Sequence, residues 1–215
     1  MSVAVKICGI KDREALDAAT NGGADYVGFV FYPPSPRSIE PETAATLAGQ
    51  TTAKRVGVFV NPTDEDLTRV LNHVQLDYLQ LHGSESPERL MEIRRLSGLP
   101  LIKAVPVAGP DDITAAKAYE GVADMLLFDA KPPKSMAGAL PGGNALRFDW
   151  DLLAKASFAL PWFLSGGLDA AVVSEAIRSS GAQAVDVSSG VEDRPGIKSP
   201  LKISAFLKAA KTQKE

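Results

Sequence analysis

Ala4-Val5-Lys6-Ile7-Cys8-Gly9-Ile10 is a short run rich in β-branched residues that ends at a glycine, and a helix-like pattern over 11–21 follows at once. Strand side chains alternate between faces, so Ala4, Lys6 and Cys8 share one side while Val5 and Ile7 share the other. The stretch therefore reads as a strand feeding straight into a helix. The chain's single cysteine stands at the strand's carboxyl tip, two residues beyond a lysine. Taken alone, that thiol has two readings: a small buried hydrophobe, which is what a free cysteine usually is, or a reactive group at a strand end.

The same unit recurs along the chain. Strands are predicted near 3–7, 26–30, 55–60, 78–81, 101–105, 125–128, 162–164 and 184–187. Helices are predicted near 13–20, 41–48, 64–72, 87–96, 111–118, 149–155, 170–178 and 200–211. Ser86-Pro87 and Ser199-Pro200 each place a capping serine before a proline at the first helical position. Alternating βα units imply parallel strands and right-handed crossovers. Eight in succession predict an α/β fold, a (β/α)8 or TIM barrel, as one domain over 1–215. One long gap, 130–147, rich in glycine and proline, separates strands six and seven. Loops of that length are uncommon unless they bind or cover something.

Composition narrows the function classes. The 215 residues are 45% hydrophobic and 23% charged, an ordinary globular balance. A net charge of −3 without a lysine/arginine stripe argues against a nucleic-acid partner. A lone cysteine forms no internal disulfide, which fits a reducing compartment. No signal-peptide pattern precedes the first strand and no apolar stretch is long enough for a bilayer, so a cytoplasmic protein with no membrane partner is expected. One cysteine with His73 and His82 gives no metal-ligand spacing, and no nucleotide fingerprint appears, so neither metal nor cofactor is expected. Monomer and homodimer remain equally open.

Strand parity then sorts side chains. Val56, Val58, Val60, Leu79, Leu81, Leu126, Phe128, Val185 and Val187 are expected to face outward, under the helices. The other parity carries Lys6, Cys8, Arg55, Gln80, His82, Lys103, Asp129, Asp186 and Ser188. Burying so many polar groups is costly unless they pair or meet a ligand. Most lie toward the carboxyl ends of their strands, where barrel enzymes keep their active sites. For Lys6, Arg55 and Lys103, pairing with acids inside the barrel is an equally good account.

Two glycine-rich turns follow the last strands, Ser165-Gly166-Gly167-Leu168 and Ser188-Ser189-Gly190-Val191. Backbone N–H groups at these two positions of a barrel frequently bind phosphate, and Gly143 of the long loop is a further candidate. Cys8 and Asp129, at the ends of strands one and six, would face each other as base and acid. That pairing suits proton relocation such as an aldose–ketose isomerisation. The charge of Lys6 would favour the thiolate, and a bound phosphate with partial burial would favour protonated Asp129. Lys6, Gln80, His82 and Asp186 are candidate polar contacts to the ligand, although a lone histidine is often purely structural. In Phe31-Tyr32-Pro33-Pro34-Ser35-Pro36-Arg37-Ser38, three prolines stiffen a loop presenting Arg37. Its guanidinium would grip a carboxylate through two hydrogen bonds, or else sit solvated at the surface.

These residues fall within longer motifs: Lys6-Ile7-Cys8-Gly9-Ile10, Gly28-Phe29-Val30-Phe31-Tyr32-Pro33, Val56-Gly57-Val58-Phe59-Val60-Asn61 and Gln80-Leu81-His82-Gly83. They continue with Leu127-Phe128-Asp129, Phe148-Asp149-Trp150, Leu164-Ser165-Gly166-Gly167-Leu168 and Asp186-Val187-Ser188-Ser189-Gly190-Val191-Glu192. In this order and at these intervals, over essentially its full length, the chain resembles the phosphoribosylanthranilate isomerases of tryptophan biosynthesis. The resemblance implies a cofactor-free barrel performing an Amadori rearrangement. Its substrate would be the phosphorylated small molecule N-(5-phosphoribosyl)anthranilate, and its product 1-(2-carboxyphenylamino)-1-deoxyribulose 5-phosphate. It further implies that Cys8 is the general base, Asp129 the general acid, and Arg37 the ligand of the anthranilate carboxylate. The glycine turns would hold the phosphate, and Asp186 would lie near the substrate's polar groups. One departure stands out: Ala145 occupies a place where the family usually has glycine, and Arg147 a place usually held by a small residue. Two other readings compete: another phosphate-binding barrel of tryptophan or histidine biosynthesis, and a non-catalytic sugar-phosphate-binding barrel. Cys8 opposes a histidine-pathway isomerase built on two aspartates, and Cys8 with Asp129 opposes a non-catalytic barrel.

Overall fold

A computed structural model describes residues 3–133, 135–136 and 140–212. Eight parallel strands, β1 (Ala4–Cys8), β2 (Tyr26–Val30), β3 (Lys54–Phe59), β4 (Tyr78–Leu81), β5 (Leu101–Val107), β6 (Met125–Ala130), β7 (Trp162–Leu164) and β8 (Ala184–Val187), close into a barrel in sequence order. The closing seam pairs β1 with β8, with Lys6 opposite Asp186. The helices are α1 (Arg13–Asn21), α2 (Pro41–Ala48), α3 (Asp64–Leu71), α4 (Pro87–Ser97), α5 (Pro110–Ala115), α6 (Asp151–Ala154), α7 (Val173–Ser180) and α8 (Pro200–Lys211). The (β/α)8 expectation is met. Part of the long loop, 134 and 137–139, lies outside the described residues.

Local differences have local causes. Ser86 caps α4 as expected, its hydroxyl accepting from the Arg89 N–H at 3.3 Å, but Ser199 makes no side-chain cap bond to α8. Between β8 and α8 lies an unpredicted antiparallel hairpin, β9 (Glu192–Arg194) and β10 (Ile197–Lys198). Its signal was present: Pro195-Gly196 is a turn dipeptide, and Gly196 adopts φ 80°. Among the described residues, no helix is long and apolar enough to cross a membrane.

The parity expectation fails on two strands. Val56 and Val58 of β3 face into the barrel with Ile102, Ala104, Leu127 and Phe163, while Phe59 lies outside and stacks on Phe31 at 5.3 Å. Val60 follows the inward parity and reaches the mouth. Arg55 is accordingly outside, paired with Asp77 at 2.8 Å. Because β3 is apolar on both faces, alternation gave no direction. Lys103 also faces outward; its ammonium is buried against Glu85 at 2.6 Å and donates to the Gly83 carbonyl at 2.7 Å. Lys103 thus belongs to a clamp behind the β4–α4 loop and not to the barrel interior. The remaining assignments hold, so Lys6, Cys8, Gln80, His82, Asp129, Asp186 and Ser188 share the inner parity.

Candidate active site

A concave pocket opens at the carboxyl ends of the strands, the face where barrel enzymes keep their active sites. Cys8 and Asp129 both line it. Around the rim β7 and β8 lie between β6 and β1, so the two glycine-rich turns occupy the arc between Asp129 and Cys8. Ser165, Gly166, Gly167, Ser188 and Ser189 all face the cavity. Gly190 does not. It packs behind the wall against the Leu168 carbonyl, where a side chain would collide, so its part is to let the turn fold.

Beneath Cys8, Lys6 is wholly enclosed and donates to Asp186 Oδ1 at 2.8 Å; Ser165 Oγ donates to the other carboxylate oxygen at 3.2 Å. Lys6 therefore sits under the floor, touching the cavity only through its neighbours. Burial opposes its charge, yet Asp186 and Cys8 together hold the Lys6 pKa above its ordinary value. The expected thiolate-stabilising effect of Lys6 is outweighed. Burial pushes the Cys8 thiol up, Lys6 and Lys198 pull it down, Asp186 pushes it up again, and the net direction is upward. Asp186 offsets part of the Lys6 charge, yet Lys6 remains the strongest influence favouring the thiolate, and burial outweighs it.

Asp129 Oδ1 accepts from the Ala130 N–H at 2.9 Å, and Oδ2 lies 3.3 Å from His82 Nε2. That second contact falls short of hydrogen-bond alignment, which leaves Nε2 a buried polar atom without a partner. Gln80, fully buried and outside the cavity lining, presents its amide nitrogen to His82 Nδ1 at 2.8 Å. With that amide as donor, Nδ1 accepts and the ring proton rests on Nε2, facing Asp129. Gln80 thus orients His82 without touching a ligand. The long loop closes over this pair at Gly142, where a Cβ would fall 2.7 Å from both Asp129 Oδ2 and His82 Nε2. Only glycine permits so close an approach.

Arg37 lines the cavity, but its fork is engaged: Nε and Nη2 donate to Glu192 Oε1 and Oε2 at 2.8 and 2.9 Å, and Nη2 reaches the Gly143 carbonyl at 3.3 Å. The surface-arginine reading is excluded, and the bidentate grip expected for a ligand is spent on Glu192. Gly143 lines the same end of the cavity, its carbonyl against Arg37. Glu192 also accepts from Lys198 Nζ at 2.8 Å, and Arg37 with Lys198 holds its carboxyl below the usual range despite burial. Lys198 donates to the Ser188 carbonyl at 2.9 Å and lies 3.2 Å from Ser188 Oγ, which donates to the Cys8 carbonyl at 3.1 Å.

Comparisons over the whole chain identify its family. A model of the N-(5'-phosphoribosyl)anthranilate isomerase family matches residues 5–209. The chain belongs to that isomerase family. It is 56% identical to the N-(5'-phosphoribosyl)anthranilate isomerase of Paramagnetospirillum magneticum, over 98% of each chain. The crystal structure of the phosphoribosyl anthranilate isomerase from Thermotoga maritima superposes with a TM-score of 0.86 at 40% identity, covering 97% of this chain and 98% of that one. A phosphoribosyl anthranilate isomerase in complex with reduced 1-(o-carboxyphenylamino)-1-deoxyribulose 5-phosphate superposes at 0.81 and 38% identity, with the same coverage. Sequence reasoning did not single out Glu192 and Lys198, which the structure brings to Arg37 and Ser188. Glu192 closes a motif already singled out, and Lys198 lies two residues beyond the Pro-Gly turn that returns the chain to it.

Proposed function

We propose that Cys8 and Asp129 are the proton-transferring pair of a phosphoribosylanthranilate isomerase acting on N-(5-phosphoribosyl)anthranilate. The observation that carries the reading is the common cavity: a thiol and a carboxyl on its wall, with two glycine-rich turns on the arc between them. Gly166 and Gly167 have φ 88° and 61°, backbone that turns N–H groups toward an anion. These turns take the phosphate, and Arg37, held in place by Glu192, offers Nη1 to the anthranilate carboxylate. Asp129 gives a proton to the ribose ring oxygen, which opens the ring to a Schiff base. Cys8 removes the proton from C2, and the resulting enolamine tautomerises to the ketose. The chemistry needs the thiolate and the carboxylic acid, one proton between two groups.

The test supplies substrate made from anthranilate and phosphoribosyl pyrophosphate and follows loss of anthranilate-type fluorescence. Wild type converts it, whereas Cys8→Ser and Asp129→Asn lose most activity and still bind a product analogue. Full activity in Cys8→Ser would overturn the assignment.

A further inference from the structure

The Arg37–Glu192–Lys198 cluster has a composition that pairing alone does not require. Two cations share one carboxylate, all three side chains at most 7% exposed. The neighbouring Lys6–Asp186 pair is balanced. Arg37 already satisfies Glu192 with two hydrogen bonds, so stability would be served as well by an apolar residue at 198. Lys198 instead uses its three donors on three places: Glu192, the Ser188 carbonyl and the Ser188 hydroxyl that holds the Cys8 carbonyl. We propose that Lys198 is a positioning residue of this active site, tying the general base, the glycine-rich turn after β8 and the guanidinium of Arg37 into one geometry. The inference rests on the roles given above to Cys8 and Arg37.

The same arrangement places one uncompensated positive charge beside the thiol. The groups around Cys8 are Lys6 on its own strand, Asp186 on β8, Lys198 on β10, Glu192 on β9, Arg37 after β2, His82 after β4 and Asp129 on β6. Among the cations, the charge of Lys6 is matched by Asp186, while the Arg37–Glu192–Lys198 trio carries a net +1. Removing Lys198 therefore makes the thiolate harder to form.

Steady-state kinetics of the full chain across pH test the proposal, using Lys198→Met, Lys198→Gln and, as control, Lys208→Met on the exposed face of α8. Displacing positioned groups costs on the order of ten- to a hundredfold in kcat/KM, so both Lys198 variants should lose about that much. KM should rise as Arg37 loosens. The acid limb of kcat/KM, which reports the free enzyme's base, should move to higher pH, while Lys208→Met stays at wild type. Wild-type KM and an unmoved limb in the Lys198 variants would overturn the role, as would a loss that only tracks the folded fraction. If Lys198→Met does not fold, Lys198→Gln, which keeps a donor and lacks the charge, decides by its limb alone. Cys8→Ser measured alongside separates the two levels. Activity retained there defeats the general-base assignment, whereas inactive Cys8→Ser with wild-type Lys198 variants defeats only the positioning role.

Discussion

Replacing Ala145 by glycine should improve this enzyme. Ala145 lines the cavity with φ 56°, in the left-handed region. A side chain there costs roughly 1–2 kcal/mol that glycine avoids. The loop is braced internally on one side of Ala145 and anchored to the barrel on the other. Asn144 exchanges two hydrogen bonds with Leu140, at 2.7 and 3.2 Å, and Arg147 donates to the Gly167 carbonyl at 2.9 Å and reaches Asp169 at 3.4 Å. Arg147 thus fastens the loop to the glycine turn after β7. Glycine also gives the open loop more freedom, which takes back about 0.4–1 kcal/mol. The balance favours the ordered loop by roughly 0.5–1 kcal/mol, or about two- to fivefold in an equilibrium. In the fluorescence assay Ala145→Gly should therefore show KM lowered by about that factor, with kcat unchanged or higher. Equal or higher KM would refute the reasoning, because the left-handed turn would then be no part of the liganded geometry.

Three other changes probe different levels. Gly28→Ala puts a Cβ 2.9 Å from Cys8 Sγ and 3.2 Å from the Cys8 Cα and Lys6 Nζ; overpacking of this kind costs about 1–3 kcal/mol, and kcat should fall about tenfold or more as sulfur is displaced. Thermal melts and kinetics check it, and wild-type kcat would contradict it. Glu85→Gln strands the buried Lys103 ammonium, a loss of about 3–5 kcal/mol, or roughly 6–20 °C in Tm for a chain of this size; adding Lys103→Met should restore part of it. Acid should unfold the protein partly through Asp77, whose carboxyl Arg55 holds below its ordinary value. Its contribution is complete above the unfolded pKa of about 3.9 and is lost as pH falls through the lower folded value. Tm plotted against pH should bend downward in that window, and Asp77→Asn should flatten the bend.

Legibility followed distance along the chain. The barrel and the strand-end places of Cys8 and Asp129 were readable because strand, turn and helix signals are local, and because β1, β4, β6 and β8 each carry polar residues on only one parity. The interval 55–60 could not be read that way, since valine faces inward while glycine and phenylalanine face outward with equal comfort. Lys103 failed for a related reason: polarity was equated with the interior, whereas its carboxylate partner comes from a neighbouring loop outside the barrel. Charge pairing was the least legible layer, because Arg37 and Glu192 stand 155 positions apart.

That gap carries a chemical consequence. A lysine two residues from a cysteine on one strand face looks like the obvious activator, and local sequence supports no other choice. Folding brings Asp186 to that lysine from 180 positions away and offsets part of its effect, while Lys198 arrives through a hairpin to add a second positive charge that favours the thiolate. The proposed base thus stands in a seven-residue stretch, whereas the ease of its deprotonation is set by the closed barrel and the β9–β10 hairpin packed against its mouth.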